Sequence, residues 1–227
     1  MATFEGPEFE ELKHTIPTDN AQQANLGEMF KAASGPGLVL DLGCGDGRAV
    51  ELIRGTGADY VGVDIEQSPE VASRQRTDEQ FLTYNGTDLP FGDDHFDAVY
   101  SNQVFEHVRH PDRLLCEVLR VLKPGGRFVA ALSYLEPYHS YSIFNYTPYG
   151  VFRVLSDNGF ELEEMRPGPE GLGMIVRQIS ARRIKGLKLV YPGVDIALKL
   201  RRIDVRKANY LKLRFAGHIL FTARKPA

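Results

Sequence analysis

Apolar residues fall along this chain in two rhythms. Residues 38–42 form an apolar run, broken by Asp41 alone, that ends in a glycine-rich turn, and residues 60–64 form a second that ends in an acid. Continuous runs of that length predict strands buried on both faces. Further strands are predicted over 81–84, 96–100, 127–132, 160–165 and 218–223. Between them the period lengthens. Residues 21–33 read as a helix stopped by Ser34-Gly35-Pro36-Gly37, and residues 48–54 as a short one. Residues 112–122 place Leu114, Leu115, Val118, Leu119 and Leu122 on one helical face, and Lys123-Pro124-Gly125-Gly126 is expected to end that helix sharply. Residues 147–158 make another helix, with Thr147 as cap, Pro148 at its first position and Gly159 as its stop.

Strands alternating with helices predict an α/β fold, a mostly parallel sheet with helices on both faces. Residues 1–20 show little period and are expected to form an N-terminal arm. Residues 171–214 interrupt the alternation and read as a basic, partly amphipathic helical insert between the last two strands. At 227 residues, one domain spanning 1–227 is expected.

Composition narrows the class. Hydrophobic residues are 43% and charged residues 25% of the chain, an ordinary globular balance. No run of 18 apolar residues predicts a membrane-spanning helix. The acidic start lacks a signal-peptide pattern, and two cysteines, Cys44 and Cys116, make neither a disulfide framework nor a metal site. The expectation is a cytoplasmic protein with no metal. The net charge of −3 hides a split: residues 172–227 carry 14 Lys/Arg against two acids, while residues 1–171 carry 13 against 28. That division suggests a C-terminal face for an anionic partner.

The loop Gly43-Cys44-Gly45-Asp46-Gly47 lies between a predicted strand and a helix. Glycines there allow a tight turn and close backbone approach to a ligand. Its G-x-G-x-G spacing is neither the dinucleotide fingerprint nor a phosphate-binding P-loop. Asp41, two residues earlier, would repel a pyrophosphate and suits a cationic amino group.

Residues 39–48 resemble the first motif of class I S-adenosylmethionine (SAM) dependent methyltransferases, of the small-molecule type with a methyltransferase domain 11-like sequence. Later segments match the family's other landmarks in order, so that the resemblance covers roughly residues 30–165. It implies a doubly wound, Rossmann-like sheet of seven strands with the last one antiparallel. It also implies SAM as cofactor, with S-adenosylhomocysteine as product. Asp41, Gly43, Cys44 and Gly45 would hold the methionine part. Asp64 would take the ribose hydroxyls, with Ile65 beside it, two acceptor oxygens suiting a vicinal diol. In Gly86-Thr87-Asp88-Leu89-Pro90-Phe91, Asp88 would accept from the adenine amino group and Leu89 would flank the ring. Ser101 and Asn102 would touch the methionine part. Glu106 and His107 either face the pocket or pack the following helix.

The acceptor is less legible. Ser101-Asn102-Gln103-Val104 is not the Asn/Asp-Pro-Pro-Tyr of one amino-methylating class, neither cysteine has the context of a cytosine-methylating nucleophile, and no cluster of acids marks a metal-dependent O-methyltransferase. Residues 133–148, rich in tyrosine, are expected to form the acceptor wall, with His139 as candidate general base. The expected reaction is in-line methyl transfer to a small-molecule, glycan or lipid-linked acceptor, at oxygen. RNA or protein methylation guided by the basic insert, or SAM binding without catalysis, are the alternatives. For residues 177–214 three readings stand: a solvated face, contact with an anionic acceptor or membrane surface at which the protein would be peripheral, and, ranked third, nucleic acid.

Overall fold

The computed structural model describes residues 6–19, 23–184, 188–201 and 203–227. Seven strands form one sheet: β1 (Leu38–Leu42), β2 (Asp59–Ile65), β3 (Gln80–Tyr84), β4 (Phe96–Asn102), β5 (Leu122–Ser133), β6 (Glu161–Pro167) and β7 (His218–Arg224). Their order is β3-β2-β1-β4-β5-β7-β6. Neighbours from β3 through β5 are parallel, and β7 runs antiparallel to both β5 and β6. This is the doubly wound, seven-stranded sheet expected from the sequence. The strand order reverses between β1 and β4, and in open α/β sheets the ligand crevice lies at such a switch point, outside the carboxyl ends of the strands.

Period-2 alternation splits the strands between two apolar layers. Leu40, Leu42, Val99, Phe128, Ala130 and Leu132 face one, and Val39, Ala98, Tyr100, Val129 and Ala131 the other. Helix α5 (Pro111–Val121) covers the first layer with Leu114, Leu115, Val118 and Val121, joined by Val151 and Leu155 of α6 (Pro148–Asp157). Helices α2 (Leu26–Ala33) and α3 (Val50–Arg54) cover the second with Met29, Phe30, Val50 and Ile53. At five residues α3 cannot hold its shape alone; packing of Val50 and Ile53 fixes it.

The structure departs from the sequence pattern in several places. Helix α2 begins at Leu26 rather than 21, because the Asn25 side chain caps it by accepting from the Glu28 N–H at 3.2 Å; residues 20–22 lie outside the described residues. A short helix, α4 (Pro69–Ser73), follows β2, started by the Ser68 cap and Pro69. The Pro124-Gly125-Gly126 segment does not separate a helix from a strand. It lies inside β5 as an irregularity in the ladder, with Leu122 opposite Phe96 and Arg127 opposite Ala98.

The largest departure concerns the arm expected over 1–20. Among the described residues, 6–19 are packed. α1 (Phe9–Leu12) buries Phe9 and Leu12, and Ile16 follows them into the core. Thr15 C=O accepts from Met165 N–H at 2.8 Å, and Arg166 grips Asp19 with two bonds of 2.8 and 2.7 Å. The Asn209 amide donates to the carbonyls of Pro17 and Asp19. The period failed to show because the segment is held by scattered contacts to β6 and the insert, not by one helical face.

The basic segment forms three helices between β6 and β7: α7 (Gly171–Ile179), α8 (Val190–Arg201) and α9 (Val205–Leu213). Buried Glu170 fastens α8, its carboxylate accepting from the N–H groups of Leu189, Val190 and Tyr191 at 2.8–3.0 Å. Lys212 does not belong to a basic face: it is fully buried and ion-paired with Asp195 at 2.6 Å. Lys185 and Arg202 lie outside the described residues.

Candidate active site

The glycine loop leaves β1 where the sheet reverses. Gly43, Gly45 and Gly47 all have left-handed φ, at 75°, 50° and 87°. Gly43 is also a close approach, since a Cβ there would stand 2.2 Å from Val104 Cγ2. The N–H groups of Gly43 and Cys44 reach across to the carbonyl of Val63 on β2. Asp64 then closes the loop. Its two oxygens accept from Gly45 N–H and Ile65 N–H, each at 2.7 Å. Burial pushes this carboxyl up, and the two backbone bonds pull against it. Ile65 is exposed beside it, next to Gly86 of the turn after β3.

The remaining residues singled out for the cofactor divide by position. Asp41 lies beneath the loop rather than at its rim: it is buried and accepts from the Tyr60 hydroxyl at 2.8 Å. Desolvation raises its pKa to about 7, with the Asp64 charge adding to the rise. Cys44 is buried, and burial pushes its thiol up to about 12, so it stays protonated filler. Ser101 is buried and donates to the Leu42 carbonyl at 3.1 Å, tying β4 to the loop, while Asn102 is exposed at the strand end. Asp88 is exposed and accepts from the Asn85 amide at 2.7 Å; Leu89 behind it is buried.

Arg74 is a loop contact that the sequence pattern did not show. Its Nε donates to the Gly45 carbonyl at 2.8 Å, and its guanidinium lies 3.3 Å from Cys44 Sγ and 4.1 Å over the Phe81 ring. It lies 29 residues from Gly45, and no local spacing announces it.

A second polar group gathers at the same edge of the sheet, at the carboxyl ends of β4 and β5. Gln103 takes a left-handed φ of 58° just past β4. Its amide nitrogen donates toward Ser133 Oγ, Glu136 Oε1 and Glu106 Oε1 at 2.8–3.0 Å. Ser133 Oγ lies 2.8 Å from Glu106 Oε1 and also contacts Glu136. Glu106 is fully buried, and burial pushes its carboxyl up. Glu136 is partly buried, yet its carboxyl is held low, because hydrogen bonds from His218 (2.9 Å) and Ser133 outweigh desolvation. His139 Nδ1 is 3.7 Å from Glu136 Oε1, and its ring meets His107 edge-on with centroids 5.4 Å apart. His139, expected as a base, therefore lies among carboxylates rather than loose on a loop. Gln103, Ser133, Glu136 and His218 could not be grouped by spacing, because they come from three separate stretches of chain. A cleft of about 440 Å³ opens next to Glu136, lined mainly by Tyr134, Leu135, Pro137, Ile175 and Ile179.

Residues 40–130 match the family described as a methyltransferase domain. Over 118 residues the chain is 35% identical to a demethylmenaquinone methyltransferase of Renibacterium salmoninarum, covering 52% of this chain and 45% of that protein. The chain spans about half the length of the curated relatives it matches. Among solved structures, the [4+2]-cyclase SpnF has a TM-score of 0.63 at 20% identity, over 94% of this chain and 87% of that one. The 1,6-didemethyltoxoflavin-N1-methyltransferase of Burkholderia thailandensis, bound to 1,6-didemethyltoxoflavin and S-adenosylhomocysteine, has a TM-score of 0.59 at 20% identity, over 92% and 80%. These structural likenesses establish the fold. With the match over residues 40–130, that stretch of the chain is similar to a methyltransferase domain, and the sheet around it has the fold of SAM-dependent methyltransferases.

Proposed function

We propose that this chain transfers the methyl group of SAM to a hydroxyl of a small or lipid-linked acceptor. The observation that carries the reading is a juxtaposition. The Gly43–Gly47 loop with Asp64, and the Glu106–Ser133–Glu136–His139 group, share the carboxyl-end edge of adjacent parallel strands, where a ligand crevice is expected.

In this reading the loop takes the methionine part of SAM, with Ser101 and Asn102 alongside. Asp64 exchanges its backbone donors for the ribose hydroxyls, and Ile65, Asp88 and Leu89 border the adenine. The acceptor oxygen approaches the methyl carbon opposite sulfur. An oxygen lone pair forms the new bond, the carbon–sulfur pair returns to sulfur, and S-adenosylhomocysteine leaves. SAM arrives activated, so alignment is the protein's main contribution, on the order of 7–11 kcal/mol in favourable cases. A hydroxyl also has to lose its proton, and His139 is where we place that activation, worth about 10²–10⁴-fold.

The apolar cleft beside Glu136 supports a lipid-linked or aromatic acceptor, and one relative is named a demethylmenaquinone methyltransferase. The insert supports contact with an anionic surface. Arg177, Arg182, Arg183, Lys188 and Lys199 are exposed beside exposed Ile179, Ile184, Ile196 and Leu200. No helix among the described residues is long and apolar enough to cross a membrane. We read 1–227 as a single methyltransferase domain whose insert borders the acceptor.

The test is transfer from methyl-labelled SAM in fractionated extract. Label in lipid or small-metabolite fractions supports the proposal. Label in RNA or protein supports recruitment of a macromolecule by the insert, and no label anywhere supports SAM binding without catalysis.

A further inference from the structure

We propose that Glu106, His107 and His139 form a site for a divalent transition-metal ion at the acceptor end of the crevice. Among the described residues they are the group whose geometry fits one: a carboxylate oxygen and one ring nitrogen from each histidine all lie within 4.8 Å of one another. Ligands bonded to a shared zinc at about 2.0–2.2 Å stand somewhat over 3 Å apart, so small rotations of two half-exposed imidazoles complete the set.

A second, independent observation concerns Glu106. Its side chain is fully buried, and one oxygen, Oε1, is satisfied by Ser133 and Gln103. The other, Oε2, is buried with no hydrogen-bond partner. Buried polar atoms are nearly always satisfied, and an unpaired carboxylate oxygen beside two imidazoles is what a cation would satisfy.

The surroundings are built to aim these side chains. Metal-bound histidines commonly present their second nitrogen to a carboxylate, which fixes tautomer and ring orientation. Here Glu136 lies 3.7 Å from His139 Nδ1, and Glu136 is itself pinned by His218 and Ser133. The acceptor segment carrying His139 is stitched to the turn carrying Glu106. The Ile143 and Phe144 N–H groups both donate to the Glu106 carbonyl, at 2.6 and 3.1 Å.

Two imidazoles and one carboxylate leave coordination positions open, the pattern of sites that bind an exchangeable ligand. The open position faces the acceptor in the reading above, on which this role rests. The ion would hold the acceptor oxygen and acidify its hydroxyl, whose proton would pass to solvent water, so that His139 would act as a ligand in place of a free base.

Binding is measured without reference to turnover. Metal-stripped full-length protein is titrated with Co²⁺, followed by its visible d–d absorption and by calorimetry, and then with Zn²⁺ as competitor. We expect one Co²⁺ per chain, displaced by Zn²⁺. His107→Ala, His139→Ala and Glu106→Gln should each weaken binding at least tenfold, and His110→Ala should leave it unchanged. Retained S-adenosylhomocysteine binding shows that each variant is folded. Absence of stoichiometric Co²⁺ binding, or unchanged binding in His139→Ala, overturns the site. Methyl transfer by the stripped protein at the full rate would overturn the metal's role and leave the methyltransferase reading standing, whereas stoichiometric metal binding without transfer would do the reverse.

Discussion

Asp41 shows how a single residue of the loop motif can act from below. Burial holds its carboxyl near pH 7 while the unfolded chain ionises at its ordinary value of 3.8. Below pH 3.8 it is protonated in both states and contributes no pH dependence. As pH rises from there to about 7, the unfolded chain loses its proton first, so this group makes the ligand-free protein less stable across that window. Asp41→Asn keeps an acceptor for the Tyr60 hydroxyl and removes the charge. Denaturant melts at pH 5 and pH 8 should show a smaller loss of stability with rising pH in the variant than in the wild type. Gly43 gives a second test at this scale. Gly43→Ala forces a side chain into φ 75° and into Val104 Cγ2. We expect a loss of about 2–4 kcal/mol, from left-handed backbone and overpacking together. Adding Val104→Ala should make the double variant less destabilised than the sum of the singles, since it removes the clash and leaves the backbone strain.

At the scale of elements, one buried acid fastens the start of α8. Glu170 satisfies three N–H groups at the start of α8. Replacing it with Ala should cost about 1–2 kcal/mol, in the range of a strong cap. Exchange of amide hydrogens should accelerate in α8 while the sheet stays protected. What the sequence disclosed follows from where each element takes its stability. β1, β2, β4 and α5 carry their signal locally, as buried runs and a clean apolar face, and the structure places them within a residue or two of expectation. The N-terminal segment was opaque because Phe9, Thr15 and Pro17 are held by partners about 150 to 200 residues away. The site divides the same way. The Gly43–Gly47 loop and Asp64 are readable because motif and strand end coincide. Glu136, Ser133 and His218 meet only after β5 and β7 pair.

For the molecule as a whole, the charge split now has a partial structural meaning. Exposed cations of α7, α8 and the turns between them stand beside exposed isoleucines and leucines, while Lys212 is internal. Co-sedimentation with anionic vesicles should therefore occur at low salt and fall steeply as salt rises. Arg182→Glu with Arg183→Glu should lose most of it, without changing S-adenosylhomocysteine affinity, and neutral vesicles should bind far less. The central claim, however, is methyl transfer through the crevice where the loop and the Glu/His group meet. The most direct measurement is the rate of methyl transfer from labelled SAM into extracted acceptor, wild type against Asp64→Asn, with both proteins shown to be folded. In the proposed reading Asp64 would make charge-assisted bonds to the ribose worth about 1.5–3 kcal/mol each, so we expect transfer by the wild type and a loss of at least tenfold in the variant at limiting SAM. Equal transfer by the two proteins, or none by the wild type in any fraction, would contradict it.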